Sequence, residues 1–339
     1  MDADSAPARS RQGWWWKALL AGLALWLATI VVTSTTHNTN LIPTLILLGS
    51  FLVPFCVVLF AAERISGTLA QLDAFMAFFL GGAFGVLGAS LLEGRLDNSP
   101  WRYLQVALVE EFVKALILLV LGRAVVPKTA PQGALLGACI GAGFAAFESA
   151  GYAFNAAVTS QGIDLGSLLQ SEAARSILTP LCHVLWTALL GAVIFGAATR
   201  TAGATNTNGT AHGTTNGTHG TTNGTHSRPV ANESPRYRLT GVVLGTFAGV
   251  VVLHALWDSM QELAGDAAAV VLGATGPAVR GSADQLQLVF SGLYVAGLVL
   301  VAASGVGALA LVLRRDTGEN PRRPRGSAPG SGAATKPQR

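Results

Sequence analysis

Charge is what this sequence lacks. Asp, Glu, Lys and Arg make up 12% of its 339 residues, against 51% hydrophobic residues and a mean hydropathy of +0.49. Soluble domains carry roughly a quarter charged residues, so the deficit excludes an ordinary soluble domain and points to a membrane protein. Cysteine is also scarce. Cys56, Cys139 and Cys182 all fall in apolar segments with no C-x-x-C spacing, which excludes a disulfide framework and makes them small buried hydrophobes. Glycine and proline are not scarce, at 40 and 14 residues, and both are commoner in transmembrane helices than in soluble ones. The long apolar runs exclude a collagen-like or disordered class.

Apolar stretches of about 20 residues, enough to cross roughly 30 Å of hydrocarbon at 1.5 Å per residue, recur eight times. They cover residues 14–33, 41–62, 72–92, 103–123, 131–158, 173–198, 239–262 and 285–313. The expected fold is therefore all-α, a polytopic transmembrane bundle of about eight helices. The first stretch follows Arg9, Arg11 and Lys17 but is too long for a signal peptide and lacks a small-residue cleavage site, so it reads as a retained helix anchored by Trp14, Trp15 and Trp16. With both termini cytosolic, 17 of the 22 Lys and Arg residues lie inside. Arg95, Arg102, Arg175 and Arg280 lie outside, and Lys114 lies in the membrane. That asymmetry fixes the orientation of a multi-pass cell-membrane protein. It also accounts for the net charge of +4 through topology and anionic lipid, with no reason to expect nucleic acid as a partner.

Two segments have almost nothing to bury. Thr201–Ser227 is a seven-residue repeat of Thr, Asn, Gly and His, expected to be a disordered cytosolic linker. The tail after Arg314, rich in Arg, Pro and Gly, is expected to be disordered and to lie against the inner leaflet.

Chemistry is to be sought where charge sits in hydrocarbon, because an ionisable group at mid-membrane costs about 2.5 to 3.5 kcal/mol. Few residues qualify: Glu110, Glu111 and Lys114 on the fourth stretch, Glu148 on the fifth, His183 on the sixth, and His254 with Asp258 on the seventh. Counting from each outer end at 1.5 Å per residue puts Glu110 roughly 10 Å deep, Glu148 roughly 9 to 15 Å, His183 roughly 15 Å and His254 roughly 12 Å. Helices of alternating direction thus place their polar groups in one layer of the outer half. Spacing within each helix is also chemically sensible. Lys114 can pair with Glu110 at i+4 or with Glu111 at i+3, so one glutamate is neutralised while the other faces water. His254 and Asp258, four apart, share a face on which the carboxylate can fix the imidazole tautomer. Glu148 and Tyr152 are likewise four apart, and the phenol can donate to the carboxylate or to an oxyanion.

The fourth helix reads E-E-x-x-K from Glu110 to Lys114, and the fifth F-E-x-x-x-Y from Phe147 to Tyr152. The sixth carries His183-Val184-Leu185-Trp186-Thr187, and the seventh H-x-x-W-D from His254 to Asp258. In this order and spacing the motifs resemble those of the PrsW family of intramembrane proteases, relatives of the CAAX prenyl endopeptidases, over about Tyr103–Glu262. The resemblance implies hydrolysis of peptide bonds in single-pass membrane proteins near the outer face, the substrate in well-known relatives being an anti-sigma factor cut at its first site. Glu110, Glu111, Glu148, His183, His254 and Asp258 become the catalytic set, with Lys114 and Tyr152 in support. A glutamic version needs no cofactor and uses Glu110 or Glu111 to activate water. A metal version makes Glu148, His183 and His254 a zinc set. The sequence has no H-E-x-x-H, which favours the metal-free version. The organisation that follows is a cytosolic N-terminus (1–13), N-terminal helices (14–102) and a catalytic four-helix core (103–262) interrupted by the linker (199–238). An outer loop (263–284), a last helix (285–313) and the basic tail (314–339) complete it.

Other readings exist for the same residues. Glu110 with Lys114 can be a structural ion pair, His183 a packed histidine, and Asp258 a solvated helix-end residue. A proton-coupled transporter or channel would use the Glu, His and Asp groups as a relay. Transporters usually show two repeated halves with paired broken helices and polar groups at the midplane, whereas here one contiguous block holds everything off centre.

Overall fold

In hydrocarbon a backbone polar group must be satisfied within its own segment, so apolar runs of this length become helices. The computed structural model describes residues 13–65, 69–207, 237–272 and 283–318. Its helices are α1 (Trp14–Thr36), α2 (Ile42–Arg64), α3 (Gln71–Glu93), α4 (Arg102–Leu121), α5 (Ala130–Ala157), α6 (Leu165–Leu178), α7 (His183–Thr207), α8 (Gly241–Val271) and α9 (Ala283–Gly318). Among the described residues seven spans are long and apolar enough to cross a membrane, with α6 and the first part of α7 forming one of them. The expected all-α membrane bundle is therefore the observed architecture. α4 fails the same test through its charges but packs among α3, α5, α7 and α8 as the eighth expected crossing.

Three boundaries differ from expectation. The stretch expected as one helix over 173–198 is interrupted by a single 3-10 turn at Thr179–Leu181. Pro180 causes the break, since it has no N–H and its ring clashes with the carbonyl four residues back. α7 then runs on to Thr207, into the segment expected as linker. α8 continues past residue 262 to Val271, so much of the expected outer loop is helical. Residues 208–236, which hold most of the repeat and of the expected linker, and the tail from 319 lie outside the described residues.

α5 is the axis of the bundle, buried along most of its length, while α1, α8 and α9 leave most of their apolar surface outward. Its sequence explains this. Gly133, Gly137 and Gly141 recur every four residues, and a methyl group on any of them would overlap the carbonyl oxygen of Gly191, Thr187 or His183 on α7. Such small-residue stripes let two backbones approach where apolar burial gives no driving force. The same antiparallel register continues through the break to α6, where Arg175 Nε donates to Ser149 Oγ at 2.9 Å. α6 is seated from the other side by Glu172, which accepts from Trp26 Nε1 of α1 at 2.9 Å and rests on Gly49 of α2. α4 and α8 run antiparallel, joined by Tyr103 to Glu262 at 2.7 Å and by Glu111 to His254 at 2.8 Å.

Gly137→Val is expected to lower stability by about 3 kcal/mol, the upper end for an overpacked site. Gly245→Ala on α8, where an added Cβ meets nothing, is expected to leave it unchanged. Thermal unfolding of the two variants in detergent checks both.

Candidate functional site

α4 supplies the charges. Glu110, Glu111 and Lys114 are all buried, on the face toward α5, α7 and α8. Lys114 Nζ stands 2.5 Å from Glu111 Oε1 and 3.5 Å from Glu110 Oε2. It also lies 3.0 Å from His183 Nδ1 and 4.5 Å from the centre of the Phe144 ring. A buried ammonium requires such company, because an unpaired charge in this environment is costly.

α7 supplies His183 as its first residue, not from the middle of a continuous helix. The break turns its ring toward α5, where Nε2 lies 3.1 Å from Glu148 Oε2. An ammonium has no acceptor, so Lys114 donates to Nδ1 and the ring proton sits on Nε2, donating to Glu148. Glu148 is held from the other side by Arg175 Nη2 of α6. α8 supplies His254, whose Nδ1 lies 2.8 Å from Glu111 Oε1 and whose Nε2 lies 3.3 Å from Asp258 Oδ2 and 3.7 Å from Glu110 Oε2. The two imidazoles are 5.2 Å apart between ring centres, and Trp186 packs 5.1 Å from His254.

Every ionisable residue singled out from the sequence for the membrane interior therefore enters one network. Tyr152 reaches the site differently from expectation. Its ring carries the contact, with the Arg175 guanidinium 4.2 Å from the ring centre.

A cavity of about 820 Å³ opens on this network. Glu110, Glu148, His183, Asp258, Tyr152 and Arg175 line it, and it reaches the α3–α4 connection at Asn98, Ser99 and Pro100. Glu111, Lys114 and His254 stand behind its wall, outside the lining. The two adjacent glutamates thus differ: Glu111 is fully buried and bonded to Lys114 and His254, while Glu110 faces the cavity. Glu110 Oε2 is surrounded by three nitrogens at 3.5 to 3.8 Å yet has no hydrogen-bond partner among the described residues.

Donor atoms of Glu110, His183 and His254 lie within 4.8 Å of one another. One carboxylate with two imidazoles is a donor set of catalytic zinc sites, so the group fits a divalent cation by type and spacing. The carboxylate that groups with the histidines is Glu110. Glu148, which the resemblance put in that place, is taken up by Arg175 and His183.

Sequence reading passed over Arg175. The signal available was a lone cation near the outer end of the sixth stretch, opposite a carboxylate that needs one.

A buried network of acids, lysine and histidines thus opens to a cavity inside a polytopic bundle. The model of the PrsW family intramembrane metalloproteases matches residues 43–279, well over half of the chain, and the protein belongs to that family. The match takes in α2 and α3 as well as the motif helices, leaving α1 and α9 outside. No curated protein and no solved structure matches the chain.

Proposed function

We propose that this intramembrane protease cleaves single-pass membrane proteins near the outer membrane face, an anti-sigma factor cut at its first site being the candidate substrate. The observation that carries the reading is the state of Glu110, a carboxylate on the cavity wall with one oxygen unpartnered among three nitrogens. Glu110 takes the proton of a water as its oxygen attacks the scissile carbonyl carbon. The same carboxyl returns the proton to the amide nitrogen as the C–N bond breaks. His254, behind the wall and fixed by Glu111 and Asp258, turns Nε2 toward Glu110 at 3.7 Å and backs the carboxyl that handles the proton. His183 and Glu148 form the opposite wall. The charge asymmetry of the loops supports an outer mouth for the cavity, with both termini cytosolic.

The glutamic version is favoured by the engagement of both His183 nitrogens, with Lys114 on Nδ1 and Glu148 on Nε2. The metal version has its own support in the grouping of Glu110, His183 and His254. Those three residues would hold the ion, and it would acidify a bound water and polarise the carbonyl. The two make opposite predictions for the reconstituted protein acting on a single-pass reporter. Cleavage that persists through exhaustive chelation is the expected result. Cleavage lost to the chelator and restored by zinc would establish the metal version. A proton flux without any fragment would favour the transporter.

A further inference from the structure

Arg175 belongs to none of the four motifs, yet the fold delivers it to the site. Its Nη2 pairs with Glu148 Oε2, its Nε donates to Ser149 Oγ at 2.9 Å, and its guanidinium lies 4.2 Å from the centre of the Tyr152 ring. A planar guanidinium fixed at three points has little freedom left, which suits it to orient a carboxylate. The carboxylate it orients is the one that His183 touches, and the same oxygen, Glu148 Oε2, receives both groups. Without Arg175 that carboxylate keeps His183 as its close partner but loses the group that fixes its rotamer.

The helix that carries Arg175 is built for the purpose. α6 is separated from α7 by the 3-10 turn at Thr179–Leu181 and keeps the antiparallel register against α5 beyond it. Three residues before Arg175, on the face toward α1 and α2, Glu172 is buried and bonded to Trp26. A single turn of α6 is thus tied to α1 and α2 through Glu172 and to the proposed hydrolytic centre through Arg175.

We infer that Arg175 is a positioning residue of that centre, holding Glu148 in the orientation that fixes His183, with α6 as the arm that presents it. This rests on the proteolytic reading proposed above. The arrangement extends the working site beyond the motif helices to α6, and through Trp26 to α1.

The test uses full-length protein in liposomes with a single-pass reporter, comparing Arg175→Met, Arg175→Lys, Glu148→Gln and the double variant Arg175→Met/Glu148→Gln. Arg175→Met is expected to lower kcat by about 10- to 100-fold, the usual loss when an orienting partner is removed, with KM little changed. Arg175→Lys returns part of that loss, since it restores the charge without the fork. The double variant is expected to be no slower than Glu148→Gln, because Arg175 then has no carboxylate to orient. A rise in KM with kcat intact would make Arg175 a substrate contact and overturn the inference. Losses that multiply in the double variant would overturn it too, as they would show a role independent of Glu148. Thermal unfolding in detergent accompanies each assay. If Arg175→Met does not fold, the lysine and double variants decide, because the first keeps a cation and the second removes the carboxylate that needs one. If Arg175→Met cleaves like wild type while Glu110→Gln is inactive, the inference fails and the proteolytic reading stands. If Glu110→Gln and Glu111→Gln both cleave like wild type, the reading itself fails.

Discussion

Glu110→Gln is expected to lower reporter cleavage by a factor of about 10² to 10⁴, the range for loss of a general acid–base group, with no fall in thermal stability. Glu111→Gln is expected to lose activity in a different way, through a fall in stability of about 3 to 5 kcal/mol, the cost of breaking a buried ion pair from one side. The geometry separates the two. The amide at position 110 still lines the cavity and leaves Lys114 bonded to Glu111 at 2.5 Å. The amide at position 111 leaves Lys114 inside the protein with only the more distant Glu110, 3.5 Å away, as a carboxylate partner. It also weakens the bond that fixes His254 Nδ1. Cleavage and thermal unfolding measured on the same preparations check both halves. An active Glu110→Gln beside an inactive, stable Glu111→Gln would reverse the roles, making the inner carboxylate the base.

Much of this site was legible in the sequence because a membrane makes charge conspicuous. In a helix that is mostly Leu, Val and Ala, Glu110, Glu111 and Lys114 stand out, and i, i+3 and i, i+4 spacing already says which groups can meet. Depth, counted along helices of alternating direction, brought four helices to one layer. What the pattern could not supply was direction around each helix. Glu110 and Glu111 are equivalent to a hydropathy reading, and only the packing of α4 against α8 turns Glu111 to His254 and Glu110 to the cavity. The break before His183 was hidden for a related reason. Thr179-Pro180-Leu181 sits inside an apolar run, and a window long enough to find a span averages over a single turn. Arg175 was lost with it, since a cation near the membrane edge reads as an interfacial residue until the register of α5 and α6 sets it against Glu148. The length of α8 escaped because residues 239–262 already suffice to cross a membrane, so 263–271, with Asp266 its one charge, was left to the outer loop.

Lys114→Met is expected to cost as much stability as Glu111→Gln, about 3 to 5 kcal/mol, because it too leaves a fully buried charge without its partner. The two changes combined should cost much less than either alone. Lys114 and Glu111 are each 0% exposed, so removing both charges removes both desolvation penalties, and a methionine of similar length fills the space beside Phe144. Unfolding midpoints of the two single variants and the double variant in detergent test this. A double variant as unstable as the singles would mean that shape rather than charge dominates at this contact. Activity should not recover with stability. Lys114 also donates to His183 Nδ1 at 3.0 Å, and Glu111 accepts from His254 Nδ1 at 2.8 Å, so the neutral pair leaves both imidazoles free to change tautomer and tilt. A stable but inactive double variant would separate the two tasks of the E-E-x-x-K motif. In the folded state the ion pair offsets its own burial, and what it adds is the orientation of one histidine from each charge.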